Sequence, residues 1–262
     1  MTLSVRNLTV SYGRTSVLHG LEMDAEPGAL TAIVGPNGSG KSTLVKAICG
    51  DLPYDGTVHL NGHEVAQAKP WELAAMRGVL PQASTLAFPF HAIEVVRIGL
   101  TSGTGADHEN RAAAALARVG LQGYGHRFYQ ELSGGEQQRV QLARVLAQIW
   151  EPATAEGARW LMLDEPVSSL DIAHQLHVMN IARAFARAGG GVVAVMHDLN
   201  LTSLFADRVI VMAEGQVLAA GNTTKVMTDE VLSRAYGCDL RVNTIPSGAT
   251  PFILPHSAQI GA

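Results

Sequence analysis

The first sixty residues alternate short apolar runs with turn residues, a pattern that predicts strands. The run ALTAIV at 29–34 is too short for a helix and is continuously apolar, which is typical of a buried strand in a parallel sheet. A helix is predicted from Lys41 to about Cys49, because Gly50 supplies a stop. The other predicted strands lie in LSVRNLTVSY, SVLHGLEMDAEPG and TVHLNG.

Helical spacing replaces this pattern from about residue 84 to residue 150. Apolar residues recur at helical intervals in AIEVVRIGL and GGEQQRVQLARVLAQIW, and the alanine-rich stretch DHENRAAAALARVGL is predicted to be a helix that Asp107 caps. After the polar segment EPATAEGAR (151–159), strands and helices alternate again in WLMLD, DIAHQLHVMNIARAFARA, GVVAVM and LNLTSLFAD, before a hairpin in RVIVMAEGQVLAA. The sequence predicts one α/β domain. Its core comprises 1–84 and 160–262 and begins with an antiparallel β region, and a helical subdomain is inserted at 85–159.

Composition and charge narrow the classes of function. The chain has 262 residues, of which 47% are hydrophobic, enough for one large core. Its apolar stretches fall short of the roughly 18–20 residues of a membrane span, and its N-terminus lacks a signal-peptide pattern, so we expect a soluble, cytoplasmic protein. The net charge of −4 and the lack of a basic run give no support to nucleic-acid binding.

The cysteines and histidines do not suggest a metal framework. Cys49 and Cys238 lie far apart without metal-ligand spacing, so we expect free thiols. His174 and His177 are three positions apart on a predicted helix, a spacing that could in principle chelate a metal. Because no third ligand is near them in the sequence, a solvated or partly packed helix face is the favoured interpretation.

A glycine-rich segment, GPNGSGKST, follows the buried strand at 29–34. It fits the pattern GxxxxGK[ST] in the strand-to-helix context that this phosphate-binding motif requires. Its glycines let backbone N–H groups surround an anion, and the following helix directs its positive end at the same phosphates. Lys41 is expected to reach the β- and γ-phosphates, and Ser42 to bind Mg²⁺. The candidate nucleotide-binding residues of this loop are Gly35, Pro36, Asn37, Gly38, Ser39, Gly40, Lys41, Ser42 and Thr43.

Two downstream motifs extend this hypothesis. WLMLDEP places Asp164 at the end of an apolar strand, where its carboxylate can hold Mg²⁺ through water, and Glu165 beside it can polarise an attacking water. LSGGEQQR at 132–139 has two adjacent glycines at a helix start, which form a second phosphate-sized nest without a lysine. Two separate anion nests in one chain require an explanation.

With these motifs the sequence resembles the ATP-binding cassette ATPases, whose signature is LSGGEQQR. The resemblance covers nearly the whole chain and implies a P-loop NTPase fold with a RecA-like core. The motifs follow the family's order: Tyr12, Walker A at 35–42, Gln82 in LPQ, the signature, Walker B with Glu165, Asp171 in SSLD and His197 in VMHD.

The resemblance implies a head-to-tail, ATP-dependent homodimer with two ATP molecules, each between the Walker A of one subunit and the signature of the other. Ser133 and Gly135 would contact the γ-phosphate in trans, and Gly134 and Glu136 would belong to the same site. Asp171 would cross the dimer interface. This arrangement accounts for the second anion nest.

The resemblance also implies the catalytic residues. Tyr12 would stack on adenine, Gln82 would touch Mg²⁺ and the attacking water, His197 would hold the γ-phosphate, and Glu165 would be the general base. Taken singly, Tyr12 could be a core residue, Gln82 a surface residue and His197 a strand-end cap. Their joint order favours the family roles.

One position departs from the family pattern. Val167 follows the DEP tripeptide, where many relatives have threonine. The substitution removes a hydroxyl but spares every phosphate and metal contact named above, so we expect ATPase activity to survive.

The resemblance implies that an integral membrane permease dimer is the partner. The segment STLAFPFHAIEVVRIGL, with Phe88 and Phe90, lies where the family receives the permease's coupling helices. A plain subdomain core is the alternative for this segment. The implied location is the cytoplasmic face of the bacterial inner membrane.

Weaker similarities narrow the range of substrates that the implied transporter would carry. FPF followed by EVVRIG looks like the importer ATPases for ferric siderophores, cobalamin and heme. The stretch from SSLD to FADRV, the insertion EPATAEGAR and the C-terminal RVNTIPSGATPFILP resemble heme importer ATPases of Gram-negative bacteria, which act with a periplasmic heme-binding protein. A neutral surface loop is the alternative for the insertion. A soluble ATPase of an assembly complex, also a single cassette, is the alternative from another class.

Overall fold

The computed structural model describes residues 2–82, 86, 88–100, 105–246, 248 and 251–258, with the backbone alone at 105–108. The strands are β1 (Leu3–Tyr12), β2 (Thr15–Ala25), β3 (Leu30–Val34), β4 (Asp55–Leu60), β5 (His63–Glu64), β6 (Arg77–Leu80), β7 (Ala153–Thr154), β8 (Gly157–Ala158), β9 (Trp160–Asp164), β10 (Gly191–Val195), β11 (Arg208–Ala213) and β12 (Gln216–Asn222). The helices are α1 (Lys41–Ile48), α2 (Pro70–Met76), α3 (Ala92–Arg97), α4 (Gly105–Arg118), α5 (Gly134–Gln148), α6 (Ile172–Arg187), α7 (Leu199–Phe205), α8 (Thr223–Val226) and α9 (Asp229–Tyr236).

A six-stranded sheet in the order β12-β11-β3-β10-β9-β6 forms the centre of the core. Its neighbouring strands are parallel except for β12, which pairs antiparallel with β11. The adjacent strands β3, β10 and β9 are buried along their whole length. Val195 is in register with both Ile33 and Asp164, so these three strands end side by side. The loops that follow them therefore begin at one edge of the sheet.

The central sheet lies between two apolar layers, because successive side chains of a strand point to opposite faces. Ile33 belongs to a buried cluster with Leu44 of α1 and Leu3 of β1. Ala32 and Val34 belong instead to a cluster with the helices, which includes residues of α5, α6 and α7. Burial of each large aliphatic side chain stabilises the fold by roughly 1.5–3 kcal/mol.

The predicted N-terminal β region is confirmed as an antiparallel sheet. Its four strands have the order β2-β1-β4-β5, and every neighbouring pair is antiparallel. The helix α1 is the next element after β3 and contacts strands of both this sheet and the central one. The predicted end of α1 is confirmed as well: Cys49 caps the helix and Gly50 has φ 72°.

The predicted helical region contains α3, α4 and α5, which pack against one another. The apolar residues that recur at helical intervals in GGEQQRVQLARVLAQIW are buried on α5 and at its C-cap: Val140, Leu142, Val145, Leu146 and Ile149. The helix α4 begins at Gly105, so Asp107 lies within the helix and the prediction that it caps the helix is wrong. Helix ends are set by local backbone geometry, which apolar spacing does not specify.

The segment 151–159 forms a structure that its polar composition did not indicate. Strands β7 and β8 make a two-stranded hairpin. The Asn61 side chain joins it to the antiparallel sheet: Asn61 Nδ2 donates to Ala158 O at 2.7 Å, and Asn61 Oδ1 accepts from Trp160 Nε1 at 3.0 Å. The hairpin thus contacts the core, and the subdomain boundary at 159 stays a prediction.

The helices α2, α8 and α9 and the strand β6 were not predicted. β6 has four residues and no alternation, so its apolar pattern carries little signal. It is held by close packing, because a Cβ on Gly78 would lie 2.7 Å from a methyl carbon of Val145 on α5.

Two further expectations concern membrane segments and cysteines. Within the ranges that the structure describes, no helix combines the length and the apolar character that crossing a bilayer requires. Cys49 and Cys238 are free thiols, as predicted. Burial raises the pKa of the Cys49 thiol to about 12, so this group stays protonated at neutral pH.

Candidate nucleotide-binding site

The loop between β3 and α1 requires glycine at both ends. Gly35 has φ 150° and Gly40 has φ 96°, in a region that other residues rarely adopt. A Cβ on Gly35 would lie 2.1 Å from the carbonyl oxygen of Met212, and one on Gly40 would lie 2.7 Å from a methyl carbon of Leu18. Backbone conformation and close packing therefore fix this loop at the edge of the central sheet.

The side chain of Lys41 turns back into the loop. Lys41 is 6% exposed, and its Nζ donates to the carbonyl oxygens of Gly35 and Pro36, both at 2.9 Å. Burial lowers the pKa of Lys41, and the carboxylates of Glu165 and Asp164 act in the opposite direction. An ammonium group held inside a glycine-rich loop at a helix start is suited to binding phosphate.

Ser42 and Asp164 meet at the end of β9. Ser42 Oγ donates to Asp164 Oδ1 at 3.2 Å, and Asp164 is 5% exposed. Burial raises the pKa of Asp164, while the Ser42 hydrogen bond lowers it. A hydroxyl and a buried carboxylate in contact are oxygen donors of the kind that Mg²⁺ takes when it is also bound to phosphates, so the residues fit the metal.

Glu165 and His197 form a close pair beside this site. His197 Nε2 lies 2.5 Å from Glu165 Oε1, and the side chains are 43% and 15% exposed, respectively. Glu165 has a left-handed backbone conformation, with φ 53°, and its N–H donates to Val195 O at 3.3 Å. A carboxylate and an imidazole next to a phosphate-binding loop can together handle a proton and a phosphate oxygen.

The signature segment lies at the exposed N-terminus of α5. Ser133 caps the helix: its Oγ is 3.3 Å from the Glu136 N–H, while Ser133 N and Oγ each lie 2.8 Å from Glu136 Oε2. The Ser133 N–H is the main cause that lowers the pKa of Glu136. Gly135 packs tightly, since a Cβ there would lie 3.0 Å from Leu170 Cδ2 and 3.1 Å from Ser169 O. Ser133 and Gly134 remain exposed.

The remaining candidate residues lie at the surface. Tyr12 is 48% exposed at the end of β1, and Gln82 is exposed two residues after β6. Asp171 caps α6: its Oδ1 accepts from the His174 N–H at 2.9 Å and lies 2.8 Å from His174 Nδ1. These bonds lower the pKa of Asp171, the backbone N–H contributing most.

The two histidines of α6 have separate contacts. His174 pairs with Asp171, whereas His177 Nε2 lies 3.0 Å from the carbonyl oxygen of Arg118. The helix-face interpretation describes these contacts better than a shared metal would. Val167, the departure from the family pattern, is 7% exposed and packs in the core.

Gln138 lies within the signature segment but is not among the candidate site residues predicted from the sequence. Gln138 Nε2 donates to the carbonyl oxygen of Glu165 at 3.0 Å, so α5 touches the candidate general base. The motif LSGGEQQR contains this residue, but nothing in its spacing indicates the contact.

The aromatic residues of the predicted permease-facing segment divide between surface and core. Phe88 is 68% exposed, whereas Phe90 packs against the apolar cluster of the helices. The exposed Phe88 thus fits a surface that receives the permease, whereas the packed Phe90 fits the alternative of a subdomain core. Ser84, Thr85 and Ala87 of this segment lie outside the described residues.

Comparisons with known proteins agree with this architecture. The family model described as ABC transporter matches residues 18–168. The hemin import ATP-binding protein HmuV of Roseobacter denitrificans is 60% identical over 259 residues, covering 99% of each chain. That of Jannaschia sp. is 60% identical over 98% of this chain and 95% of its own, and that of Rhizobium etli is 57% identical over 98% of each.

Solved structures are similar over most of the chain. CbiO1 from Clostridium perfringens, part of the ABC transporter complex CbiONQ, has a TM-score of 0.74 at 26% identity, covering 88% of this chain and 92% of that one. A dimeric bacterial ABC transporter cassette has a TM-score of 0.75 at 26% identity, covering 84% and 98%. The P-loop core, the antiparallel β region and the helices thus form an ABC cassette fold. The chain belongs to the ABC transporter family and is one of its ATP-binding subunits.

Proposed function

We propose that the chain hydrolyses ATP to drive uptake of heme (hemin) across the bacterial inner membrane through a separate permease. The observation that carries this proposal is its 55–60% identity, over nearly the full length, to eight hemin import ATP-binding proteins. The pairing of Glu165 with His197 beside the phosphate-binding loop supports hydrolysis over simple nucleotide binding.

Nucleotide binding rests on the loop between β3 and α1. Backbone N–H groups from Gly35 to Thr43 and the ammonium group of Lys41 would bind the β- and γ-phosphates. Ser42, Asp164 and Gln82 would hold Mg²⁺, which neutralises charge on the phosphates when bound. Tyr12, exposed at the end of β1, would stack on the adenine ring.

Hydrolysis rests on Glu165, His197 and Gln82. The carboxylate of Glu165 would accept the proton of the attacking water, and Gln82 would orient that water. His197 would hold the γ-phosphate through its imidazole, within reach of the Glu165 carboxylate. These roles follow from the family arrangement and from the close contact of the two side chains.

The complete site would need two copies of the chain. Ser133 and Gly134 are exposed at the start of α5, available to the γ-phosphate bound by another copy. With Gly135 and Glu136 they would close a head-to-tail dimer, and Asp171 would lie at its interface. Because each nucleotide would be shared by two subunits, the dimer should form only with ATP.

The substitution Ser133→Asp should weaken the ATP-dependent dimer about tenfold, because it adds a carboxylate next to the partner's γ-phosphate. Aspartate is also a good N-cap, so α5 should stay folded and ATP binding by the monomer should persist. Sedimentation in the Glu165→Gln background, with and without ATP, measures the dimer. Ser133→Asn is the neutral control. Equal dimerisation of the aspartate and asparagine variants would place this helix start away from the phosphate.

The permease would bind at the segment that contains Phe88. This ring is 68% exposed, and its neighbour Phe90 anchors the segment to the helices. An apolar side chain that projects from an anchored segment is suited to receive a short helix of a membrane partner. The chain would then work at the cytoplasmic face of the inner membrane, and a periplasmic heme-binding protein would deliver the cargo to the permease.

The test is uptake of heme, a ferric siderophore and cobalamin, measured in parallel in cells that carry either the wild-type chain or Glu165→Gln. We expect the variant to abolish heme uptake alone, because transport requires turnover. If uptake of the siderophore or of cobalamin is lost instead, the transport role stands and the substrate is a different one. Normal uptake of all three, with the soluble assembly complex recovered as the bound partner, would overturn the proposal.

A further inference from the structure

The backbone of Glu165 has a conformation that residues other than glycine adopt rarely. Its φ of 53° is left-handed, and glutamate has no intrinsic preference for that region. Its N–H donates to Val195 O at 3.3 Å, which fixes one side of the residue to β10. Its carbonyl oxygen accepts from Ser168 N at 3.5 Å, from Ser168 Oγ at 3.3 Å and from Gln138 Nε2 at 3.0 Å. Of these partners, Gln138 alone belongs to the helical region.

Among the residues that the structure describes, the side chain of Gln138 makes one hydrogen bond, to the carbonyl oxygen of Glu165. Gln138 is partly buried, and among the described residues its Oε1 has no hydrogen-bond partner. Leaving a buried amide oxygen unpaired costs stability, so packing alone does not account for an amide here. The N–H···O bond to the peptide of Glu165 does account for it.

Gln138 and the signature cap belong to one rigid element. Gln138 follows Ser133 by five residues on α5, which is about 7.5 Å along a helix axis. The same helix packs against α3 and α4. A movement of α5 that brings Ser133 towards a partner's nucleotide therefore also moves the amide that holds Glu165.

We propose that Gln138 is a positioning residue that holds the peptide of Glu165 and so links the orientation of the signature helix to the placement of the catalytic carboxylate. This inference rests on the proposed role of Glu165 as general base. Gln138 itself would touch neither the nucleotide nor the attacking water. Its effect would therefore appear in kcat and not in the affinity for ATP.

The test compares Gln138→Leu with Gln148→Leu in the purified full-length chain. Gln148 is a matched control on the same helix, since its Nε2 donates to the carbonyl oxygens of Ala74 and Arg77 at 2.8 and 3.0 Å. We expect Gln138→Leu to lower kcat about tenfold to a hundredfold with KM for ATP changed less than about twofold. Gln148→Leu should leave both near wild type. Wild-type kcat in folded Gln138→Leu would overturn the proposal.

Two further variants separate positioning from a general loss of structure. Gln138→Glu keeps the shape of the side chain but removes the donor, so it should reproduce the loss of kcat even if the leucine variant does not fold. In the Glu165→Gln background, Gln138→Leu should cause little additional loss in single-turnover hydrolysis, because the two residues act through one group. Equal losses in both backgrounds would overturn the positioning role. Wild-type turnover of Glu165→Gln alone would instead refute the proposed base, and this inference with it.

Discussion

Replacing Glu165 by glutamine is expected to lower kcat for ATP hydrolysis by about 10²–10⁴-fold, the usual contribution of a general base. Glutamine matches the carboxylate in shape and can keep a hydrogen bond to His197, so the site should stay assembled. Its amide cannot accept the proton of the attacking water at neutral pH. ATP binding should persist, because the loop between β3 and α1 is unchanged.

This expectation is measured by steady-state hydrolysis, nucleotide binding and sedimentation of the same preparation. Glu214→Gln is the matched control, because Glu214 also has a left-handed backbone, with φ 49°, but lies in the turn between β11 and β12. The control should hydrolyse ATP as the wild type does. We expect Glu165→Gln to form an ATP-stabilised dimer that turns over slowly. Turnover at the wild-type rate under matched partner conditions would remove Glu165 from the role of base.

The substitution Gly35→Ala is expected to disrupt the nucleotide loop, because its methyl group would lie 2.1 Å from the backbone oxygen of Met212. A backbone atom of β11 cannot move aside as a flexible side chain can. The left-handed backbone conformation and the close contact with Met212 should together lower the free energy of unfolding by roughly 3 kcal/mol. This lowers Tm by about 10 °C. Any folded fraction should bind ATP at least about tenfold more weakly, since the loop must shift.

Gly123→Ala separates the two causes of that destabilisation. Gly123 has φ 82°, also left-handed, but apart from its chain neighbours no heavy atom of the described residues lies within 4 Å of an added Cβ. Only the backbone cost of about 1 kcal/mol should remain, and ATP binding should be normal. Thermal unfolding and nucleotide titration of both variants provide the comparison. Similar Tm values for the two would show that the contact with Met212 contributes nothing.

Much of the fold was predictable because a hydrophobic pattern that continues over many residues indicates a helix or strand of that length. The continuously apolar run at 29–34 gave β3, and the helical spacing of 134–149 gave α5. Short elements were not predictable. Strand β6 depends on β9 beside it and on α5 packed against Gly78, and the hairpin at 153–158 is tied down by Asn61, about ninety residues earlier in the chain. Such tertiary contacts leave no periodic pattern.

The residues of the candidate site could be predicted from the sequence, but the contacts between them could not. Lys41, Ser42 and Asp164 could be named from their motifs, because each motif joins a residue type to a strand end. The contact of Ser42 with Asp164 requires β3 and β9 to lie on either side of β10, which is a property of strand order. The bond from Gln138 to Glu165 depends on the approach of α5 to the core, and a single sequence does not give that geometry.

The three loops of the candidate site leave neighbouring strands in the interior of the sheet, where β3, β10 and β9 are wholly buried. Their amide protons should be among the last to exchange with solvent, whereas the helices around α3 should open and exchange earlier. We therefore expect the proposed phosphate-binding loops to keep their positions while the helices around α3 open and close.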